Sequence, residues 1–259
     1  MNSKKLEAHL TQWSPLILFV ILLALWQGIC SLFNIPEFIF PSPLQIGQAM
    51  FEFAGPIASA AWQTFWVTMV GFGLSIVVGV LLGFLVGSAR LVYAAVFPLL
   101  VAFNAVPKAA IVPILVVWFG IGVGPGILTA FLISFFPITV NIATGLATLE
   151  PELEDVLRVL GAKRWDVLVK VGLPRSLPYF YASLKIAITL AFVGTVLAEM
   201  TAGDSGIGYL MQTASSQQRL ALAFAGLVVI GAMAMVMYEF FSYIERHTTA
   251  WAHRGSQGQ

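Results

Sequence analysis

The chain has 259 residues, of which 59% are hydrophobic and 10% are charged, and its 13 Lys and Arg residues nearly balance its 12 Asp and Glu residues. Soluble domains carry about 25% charged residues. This composition, with a mean hydropathy of +0.92, therefore excludes an ordinary soluble protein and indicates a polytopic membrane protein. The single cysteine, Cys30, excludes an intrachain disulfide and a CxxC metal site.

Long apolar segments predict an all-α polytopic membrane protein with six transmembrane helices in a single domain, residues 1–259. The predicted spans are residues 15–33, 64–87, 92–119, 127–149, 179–200 and 220–243. The first is too long for a signal-peptide core and no small-residue cleavage site follows it, which favours a retained span. Gly71, Gly79, Gly83 and Gly87 lie at multiples of four along one face of the second span, a spacing typical of close helix packing.

Three shorter segments connect the predicted spans. Leu44–Phe53 is a short amphipathic piece in a turn-rich extramembrane segment, Gly120–Gly126 predicts a turn, and Thr201–Arg219 predicts a polar loop. The glycines of the turn are not a phosphate-binding fingerprint, because no strand precedes them and their spacing is wrong.

The distribution of Lys and Arg predicts the orientation in the membrane. One side would carry Lys4, Lys5, Arg90, Arg246, Arg254 and five basic residues of the polar loop 150–176, and the opposite side only Arg219. Basic residues concentrate on the cytoplasmic side. The sequence therefore predicts that both termini and the loop 150–176 are cytoplasmic.

This loop contains the longest polar segment of the chain, Leu153–Pro174. Its apolar residues recur at helical spacing up to Gly161, which predicts a first short helix that ends there. A second short helix is predicted from Trp165 to Val171, with Pro174 ending it. The pattern indicates a helix–glycine–helix hairpin with a charged face, and the alternative is an ordinary amphipathic loop.

The hairpin resembles the EAA loop of the membrane subunits of ABC importers. Asp155 is followed by five residues, Gly161, nine residues, and then Val171-x-Leu173-Pro174. The match is good at Gly161 and Leu173-Pro174. It departs at Asp155, where Glu is usual, and at Val156-Leu157, where Ala-Ala is usual, which leaves the packing of the first coupling helix in question.

Four further stretches resemble permeases for nitrate, sulfonate, taurine and bicarbonate. They are Pro41-Ser42-Pro43, Pro107-Lys108-Ala109 with Pro113, Trp118-Phe119-Gly120-Ile121-Gly122, and Ala198-Glu199-Met200 with Gly206-Ile207-Gly208-Tyr209. The same subfamily includes permeases for riboflavin, thiamine-precursor pyrimidines and aromatic acids, so the resemblance leaves the substrate open.

The resemblance implies a type I ABC importer permease fold with a cytoplasmic coupling-helix hairpin. It also implies ABC ATPase subunits that bind ATP and Mg, a second permease copy expected to form a homodimer, an extracytoplasmic substrate-binding protein and surrounding membrane lipid. The residues implied in ATPase docking are Asp155, Arg158, Gly161, Lys163, Arg164, Leu173 and Pro174. This chain has no P-loop, so we expect it to be a transport subunit and not an enzyme, with no cofactor, metal or nucleic acid of its own.

Polar and helix-breaking residues inside the predicted spans are candidates for the translocation pathway. They are Asn104, Pro107, Lys108, Asn141 and Glu199. Lys108 follows a proline break, and the alternatives for it are contact with a passing anion, an interhelical pair, or extension to the membrane surface. Lys185 is expected to extend to the surface, and Glu199 to lie at the outer interface.

The resemblance, together with Lys108, implies an importer permease for a small anionic solute such as a sulfonate, taurine, nitrate, bicarbonate or a carboxylate. The alternative substrate is a neutral vitamin precursor, riboflavin or a pyrimidine. Two other functional classes, further from an ABC importer, are also compatible with a polytopic membrane protein: a secondary transporter and a membrane-embedded enzyme. An inverted repeat across the two halves would favour an ion-coupled secondary transporter, but the sequence shows no second copy of the hairpin. A membrane-embedded enzyme would need a larger convergent polar set.

Overall fold

The computed structural model describes residues 3–147, 159, 161, 166 and 168–249. The elements are α1 (Ser3–Leu32), α2 (Pro43–Glu52), α3 (Ala54–Gly87), α4 (Arg90–Ala105), a 3₁₀ turn (Lys108–Ile111), α5 (Val112–Phe119), α6 (Val123–Ala147), a π turn (Leu168–Gly172), α7 (Leu173–Ala202), α8 (Gly206–Ser216) and α9 (Leu220–Thr248). No strand occurs among the described residues. The predicted all-α class is confirmed.

Among the described residues, five helices are long and apolar enough to cross a membrane: Trp13–Leu32 of α1, then α3, Val123–Leu146 of α6, Pro174–Ala202 of α7, and α9. A further candidate consists of Leu91–Ala105 and Lys108–Phe119, which are bent by 73° at the break between them. By contact, the chain divides into two compact units. One comprises Met1–Ala58 and Leu210–Val228, and the other Ser59–Tyr209 and Val229–Gln259.

In the first unit, α2 begins with a reciprocal cap. The Gln45 backbone N–H donates to the Ser42 hydroxyl, and the Ser42 N–H donates to the Gln45 side chain at 2.8 Å. This capping box satisfies two of the amide groups that a helix N-terminus leaves without partners. Trp26 packs against Phe40, with ring centroids 5.3 Å apart. The apolar part of α1 is otherwise almost entirely exposed, as suits a helix facing lipid.

In the second unit, α3 and α6 are parallel and in close contact through the predicted glycine face. A Cβ at Gly71 would lie 2.7 Å from the Ala130 Cβ, and one at Gly87 would lie 2.9 Å from the Leu146 Cβ. Gly79 and Gly83 approach Ile138 and Ile142 in the same way. The structure confirms that these glycines serve packing, because a side chain at any of them would separate the helices.

The parallel direction of α3 and α6 determines the path of the chain that connects them. Each residue pair in contact advances along both helices together, from Gly71 with Ala130 to Gly87 with Leu146. The chain between Gly87 and Val123 must therefore return to the side on which α3 begins. The bent pair formed by α4, the 3₁₀ turn and α5 lies in this returning segment. Counted as one span, it raises the number of candidate spans among the described residues to six.

Helix α7 runs antiparallel to α3 and α6 and completes the core of this unit. Gly194 lies against the Ala130 backbone, and Gly145 lies against Ser176. Buried hydroxyls join the three helices: Thr68 donates to Thr195 at 2.9 Å, and the Ser75 and Ser134 oxygens are 2.6 Å apart. Hydrogen bonds of this kind supply specificity where apolar surfaces alone do not distinguish helix from lipid.

Three sequence expectations require correction here. The predicted turn Gly120–Gly126 is shorter, because α6 begins at Val123 and Pro125 fits in its first turn, where the missing N–H costs nothing. The predicted polar loop Thr201–Arg219 contains helix α8, Gly206–Ser216. Lys185 does not extend alone to the surface, since its ammonium lies 2.6 Å from the Glu245 carboxylate.

Candidate functional site

Only part of the predicted ATPase-docking segment lies among the described residues. Asp155, Arg158, Lys163 and Arg164 lie outside them. Gly161 is exposed and has a φ of +88°, a left-handed conformation that favours glycine. Farther along, Lys170 and Asp166 form an exposed ion pair of 3.3 Å, one helical turn apart. The positive φ supports the predicted change of chain direction at Gly161.

The end of this segment runs directly into a membrane helix. The π turn Leu168–Gly172 is followed without a break by α7, which begins at Leu173. Pro174 therefore lies in the first turn of α7 and does not end a helix, which corrects the expectation from sequence. A proline has no N–H to donate to the preceding turn, and the wider π turn ends just before it. Displacement of the segment would thus act on α7 through continuous helical backbone.

The helix break in the third predicted span places Asn104, Pro107 and Lys108 together. Helix α4 ends at Ala105, and the extended Val106 and Pro107 lead into the 3₁₀ turn. The Lys108 ammonium folds back to donate to the Asn104 backbone oxygen and, at 2.7 Å, to the Asn104 side-chain oxygen. It thus binds a carbonyl that the end of α4 leaves without a helical partner.

The other predicted pathway residues bond elsewhere. The Asn141 side chain is half-buried and donates to the Pro137 backbone oxygen of its own helix at 2.8 Å. Among the described residues, neither Asn141 nor Glu199 hydrogen-bonds to Lys108. The structure therefore joins Asn104 with Lys108 and leaves Asn141 and Glu199 in separate surroundings. The roles of these residues in a pathway remain predictions.

Glu199 is buried, with 7% of its surface exposed. The Thr64 hydroxyl of α3 lies 2.9 Å from both of its oxygens and donates to them. The Gly208 backbone N–H donates to one of these oxygens at 2.9 Å, and the Ile207 N–H donates to the Thr64 oxygen at 2.8 Å. Two side chains from α3 and α7 thus cap the first turn of α8.

Two glycines make room for this carboxylate, and a third lies against the backbone of Glu199. A Cβ at Gly206, which has a φ of +92°, would overlap the Glu199 carboxylate, and one at Gly208 would lie 2.7 Å from the Glu199 Cβ. A Cβ at Gly203 would lie 2.6 Å from the Glu199 backbone oxygen. The matched stretch Gly206-Ile207-Gly208 therefore has a packing reason for its glycines. Sequence reasoning missed Thr64 as the partner, because nothing in an apolar helix indicates which hydroxyl faces a residue 135 positions away.

Comparison with known proteins identifies the family. Residues 75–249 match the model of the family described as binding-protein-dependent transport system inner membrane component. A probable ABC transporter permease protein of Haemophilus influenzae is 33% identical over 246 residues, which cover 92% of this chain and 97% of that protein.

Two further relatives have named substrates. The formylaminopyrimidine transport permease ThiX of Halalkalibacterium halodurans is 29% identical over 92% of this chain and 95% of its own. The nitrate import permease NrtB of Leptolyngbya laminosa is 31% identical over 85% of this chain and 83% of its own.

A solved structure shares the fold. A chain of the inward-facing MetNI methionine ABC transporter superposes with a TM-score of 0.66 at 19% identity, over 74% of this chain and 96% of that chain. The predicted type I importer fold is therefore confirmed. Its apolar membrane-length helices, its family match and its relatives lead to one conclusion: the chain belongs to the binding-protein-dependent transport system inner membrane component family, and is a multi-pass permease subunit of an ABC importer.

Proposed function

We propose that this permease passes a small anionic solute, such as a sulfonate, nitrate, bicarbonate or a carboxylate, into the cytoplasm. An extracytoplasmic binding protein would deliver the solute, and separate ATPase subunits would bind ATP and Mg and drive transport. The observation that carries the proposal for an anion is Lys108, a cation at a helix break inside a candidate membrane span.

The relatives do not decide the substrate, since one is named for a pyrimidine and another for nitrate. The charges of this chain favour an anion. The sequence has no Asp or Glu between Val92 and Leu149. The described partners of the Lys108 ammonium are the two oxygens of Asn104, both of which are neutral.

These two oxygens solvate the ammonium but do not neutralise it. A single charge in a membrane interior is costly unless it is paired or hydrated. Backbone that departs from a helix at this depth is found where it is buried in protein or lines a water-filled cavity. A cation at such a break would therefore attract an anion that passes along the cavity, and a neutral solute would not need it.

The family supplies the rest of the proposed assembly. The polar segment 150–176 would dock on the ATPase on the cytoplasmic side, with both termini on that side. A second permease copy, expected to be identical, would complete the pathway, with lipid around the pair. These partners and this orientation follow from the placement of basic residues and from the family.

Three substitutions at Lys108 distinguish the effect of its positive charge on uptake from the effect of its hydrogen-bond donor. Lys108→Arg keeps both the charge and the donor, Lys108→Gln keeps a donor alone, and Lys108→Glu reverses the charge. After a ligand screen of the binding protein, uptake is measured in proteoliposomes that contain the whole complex. We expect uptake to be largely retained with Arg, to fall about tenfold with Gln, equivalent to about 1.4 kcal/mol, and to be nearly abolished with Glu.

Complex assembly and binding-protein affinity serve as controls and should stay unchanged in all three variants. If Lys108→Gln transports at the wild-type rate, the side chain serves only to bind the Asn104 carbonyl. Normal uptake in Lys108→Glu would remove the argument for an anion and favour a neutral substrate such as a pyrimidine.

A further inference from the structure

A partly buried ion pair joins α7 to α9 in the larger compact unit. The Lys185 Nζ lies 2.6 Å from the Glu245 Oε2, and the two side chains are only 17% and 14% exposed. The ammonium also lies 5.8 Å from the centre of the Tyr238 ring, which precedes Glu245 by two turns on the same face of α9. Lys185 therefore interacts with two side chains of α9 at once.

This pair fixes the register of the two helices in a way that apolar contacts do not. Aliphatic side chains exchange one neighbour for another at little cost when helices slide. Sliding of α7 along α9 by one turn would instead separate an ammonium from a carboxylate, both of them largely shielded from solvent. The two helices should therefore move as one body for as long as the pair is intact.

The position of the pair connects it to the polar segment 150–176. That segment ends in the π turn, and α7 follows it directly at Leu173. Lys185 lies twelve residues farther along, a rise of about 18 Å at about 1.5 Å per residue. A displacement of the π turn would therefore reach Lys185 through continuous helical backbone, and the last turns of α9 through the ion pair.

We propose that Lys185 and Glu245 are positioning residues that transmit the ATPase-driven movement of α7 to α9. The proposal rests on the proposed docking of an ATPase on segment 150–176. The two residues would touch neither the solute nor the nucleotide. Their part is to make the two helices respond together when the segment moves.

The experiment compares four variants of the permease in its complete complex. Lys185→Met and Glu245→Gln each remove one partner, the charge swap Lys185→Glu/Glu245→Lys restores the pair in reverse, and Lys185→Met/Glu245→Leu replaces it with apolar contact. Spin labels at exposed Ile186 of α7 and exposed Tyr243 of α9, in a Cys30→Ser background, report their distance by electron paramagnetic resonance. The nucleotide-free and vanadate-trapped states are compared, and stimulation of ATP hydrolysis by the binding protein is measured in parallel.

The wild-type protein should show one label distance in both states. Both single variants should show a distance that changes with nucleotide, together with loss of the stimulation. The charge swap should restore both properties. The apolar pair should assemble normally but should restore neither, because it packs without fixing the register.

Restoration of both properties by the apolar pair would overturn the proposal and would assign the ion pair a role in stability alone. An unchanged label distance in assembled single variants would overturn it as well. Failure of the wild-type chain to co-purify with an ATPase would be a different outcome, and would overturn the proposed function together with the inference that rests on it.

Discussion

Glu199 shows how a carboxylate can be buried in this protein with no described cation beside it. The amide groups of Ile207 and Gly208 belong to the first turn of α8 and point to Thr64 and Glu199. A helix N-terminus carries a partial positive charge and free N–H donors, so it stabilises an anion. The sequence predicts only that Glu199 lies at the outer interface. The structure shows in addition that its carboxylate caps the N-terminus of α8.

The first prediction at this scale concerns that cap. Glu199→Ala should lower the free energy of unfolding by about 2–3 kcal/mol, because it leaves the Gly208 N–H and the Thr64 hydroxyl buried without their acceptor. Glu199→Gln retains an acceptor and should cost less. Thermal unfolding in detergent and the hydrogen exchange of the Ile207 and Gly208 amides measure the effect.

Thr201→Ala is the matched control, since Thr201 is exposed and its hydroxyl bonds only to the Leu197 carbonyl of its own helix. A change of less than about 0.5 kcal/mol is expected there. Equal stability of Glu199→Ala and this control would show that the carboxylate does not hold α8.

At the scale of elements, the glycine face of α3 shows a pattern that sequence can predict. Its spacing indicates close approach to another helix, and α6 lies against it along four turns. The partner could not be predicted, because several apolar helices of this chain would accept a small-residue face equally well. The parallel direction of α3 and α6, and so the path of the chain that connects them, follows only from that partner.

Gly161 supports a prediction for the coupling segment. Its φ of +88° is unfavourable for residues with a Cβ. Of the described residues, none lies within 4 Å of a Cβ placed there, so a substitution should act through backbone conformation and not through a clash. Gly161→Val should allow normal membrane insertion but uncouple ATP hydrolysis from uptake. The ratio of solute transported to ATP hydrolysed in proteoliposomes measures this.

Asn tolerates a left-handed conformation better than other residues with side chains, so Gly161→Asn is the control and should retain most of the coupling. Equal coupling in the Val and Asn variants would mean that the segment does not depend on this turn.

At the scale of the whole molecule, the described residues contain five candidate membrane spans, or six with the bent pair counted as one, and the orientation is a prediction. Cysteines introduced at exposed Glu37 and exposed Asp204 should react with an impermeant reagent from outside the cell. One at exposed Lys170 should react only from the cytoplasmic side. Ser42 is a poor labelling site, because it is 6% exposed and caps α2.

Native Cys30 is 5% exposed and should remain unlabelled, which allows it to serve as an internal control. Labelling of position 170 from outside would reverse the orientation that the basic residues predict, and would remove the segment 150–176 from the reach of a cytoplasmic ATPase.

The sequence by itself determined the class of this protein, because hydrophobic length and charge distribution act locally along the chain. Five of the predicted spans fall on the long apolar helices, Leu44–Phe53 falls on α2, and the matched motifs indicate the permease family. Pro174 was placed at the end of a helix because proline stops many helices. Its position at the start of α7 depends on the π turn before it, which no local pattern indicated.

Only the tertiary structure decided which polar groups meet. Lys185 and Glu245 are 60 residues apart, and Thr64 and Glu199 are 135 apart. In an apolar chain each charged or hydroxylated side chain has many possible partners of equal chemistry. Which of them it meets depends on helix direction and register, and these are set by close contacts such as Gly79 against Ile138. The sequence determines which charged residues are present, and the packing of the helices determines which of them form pairs.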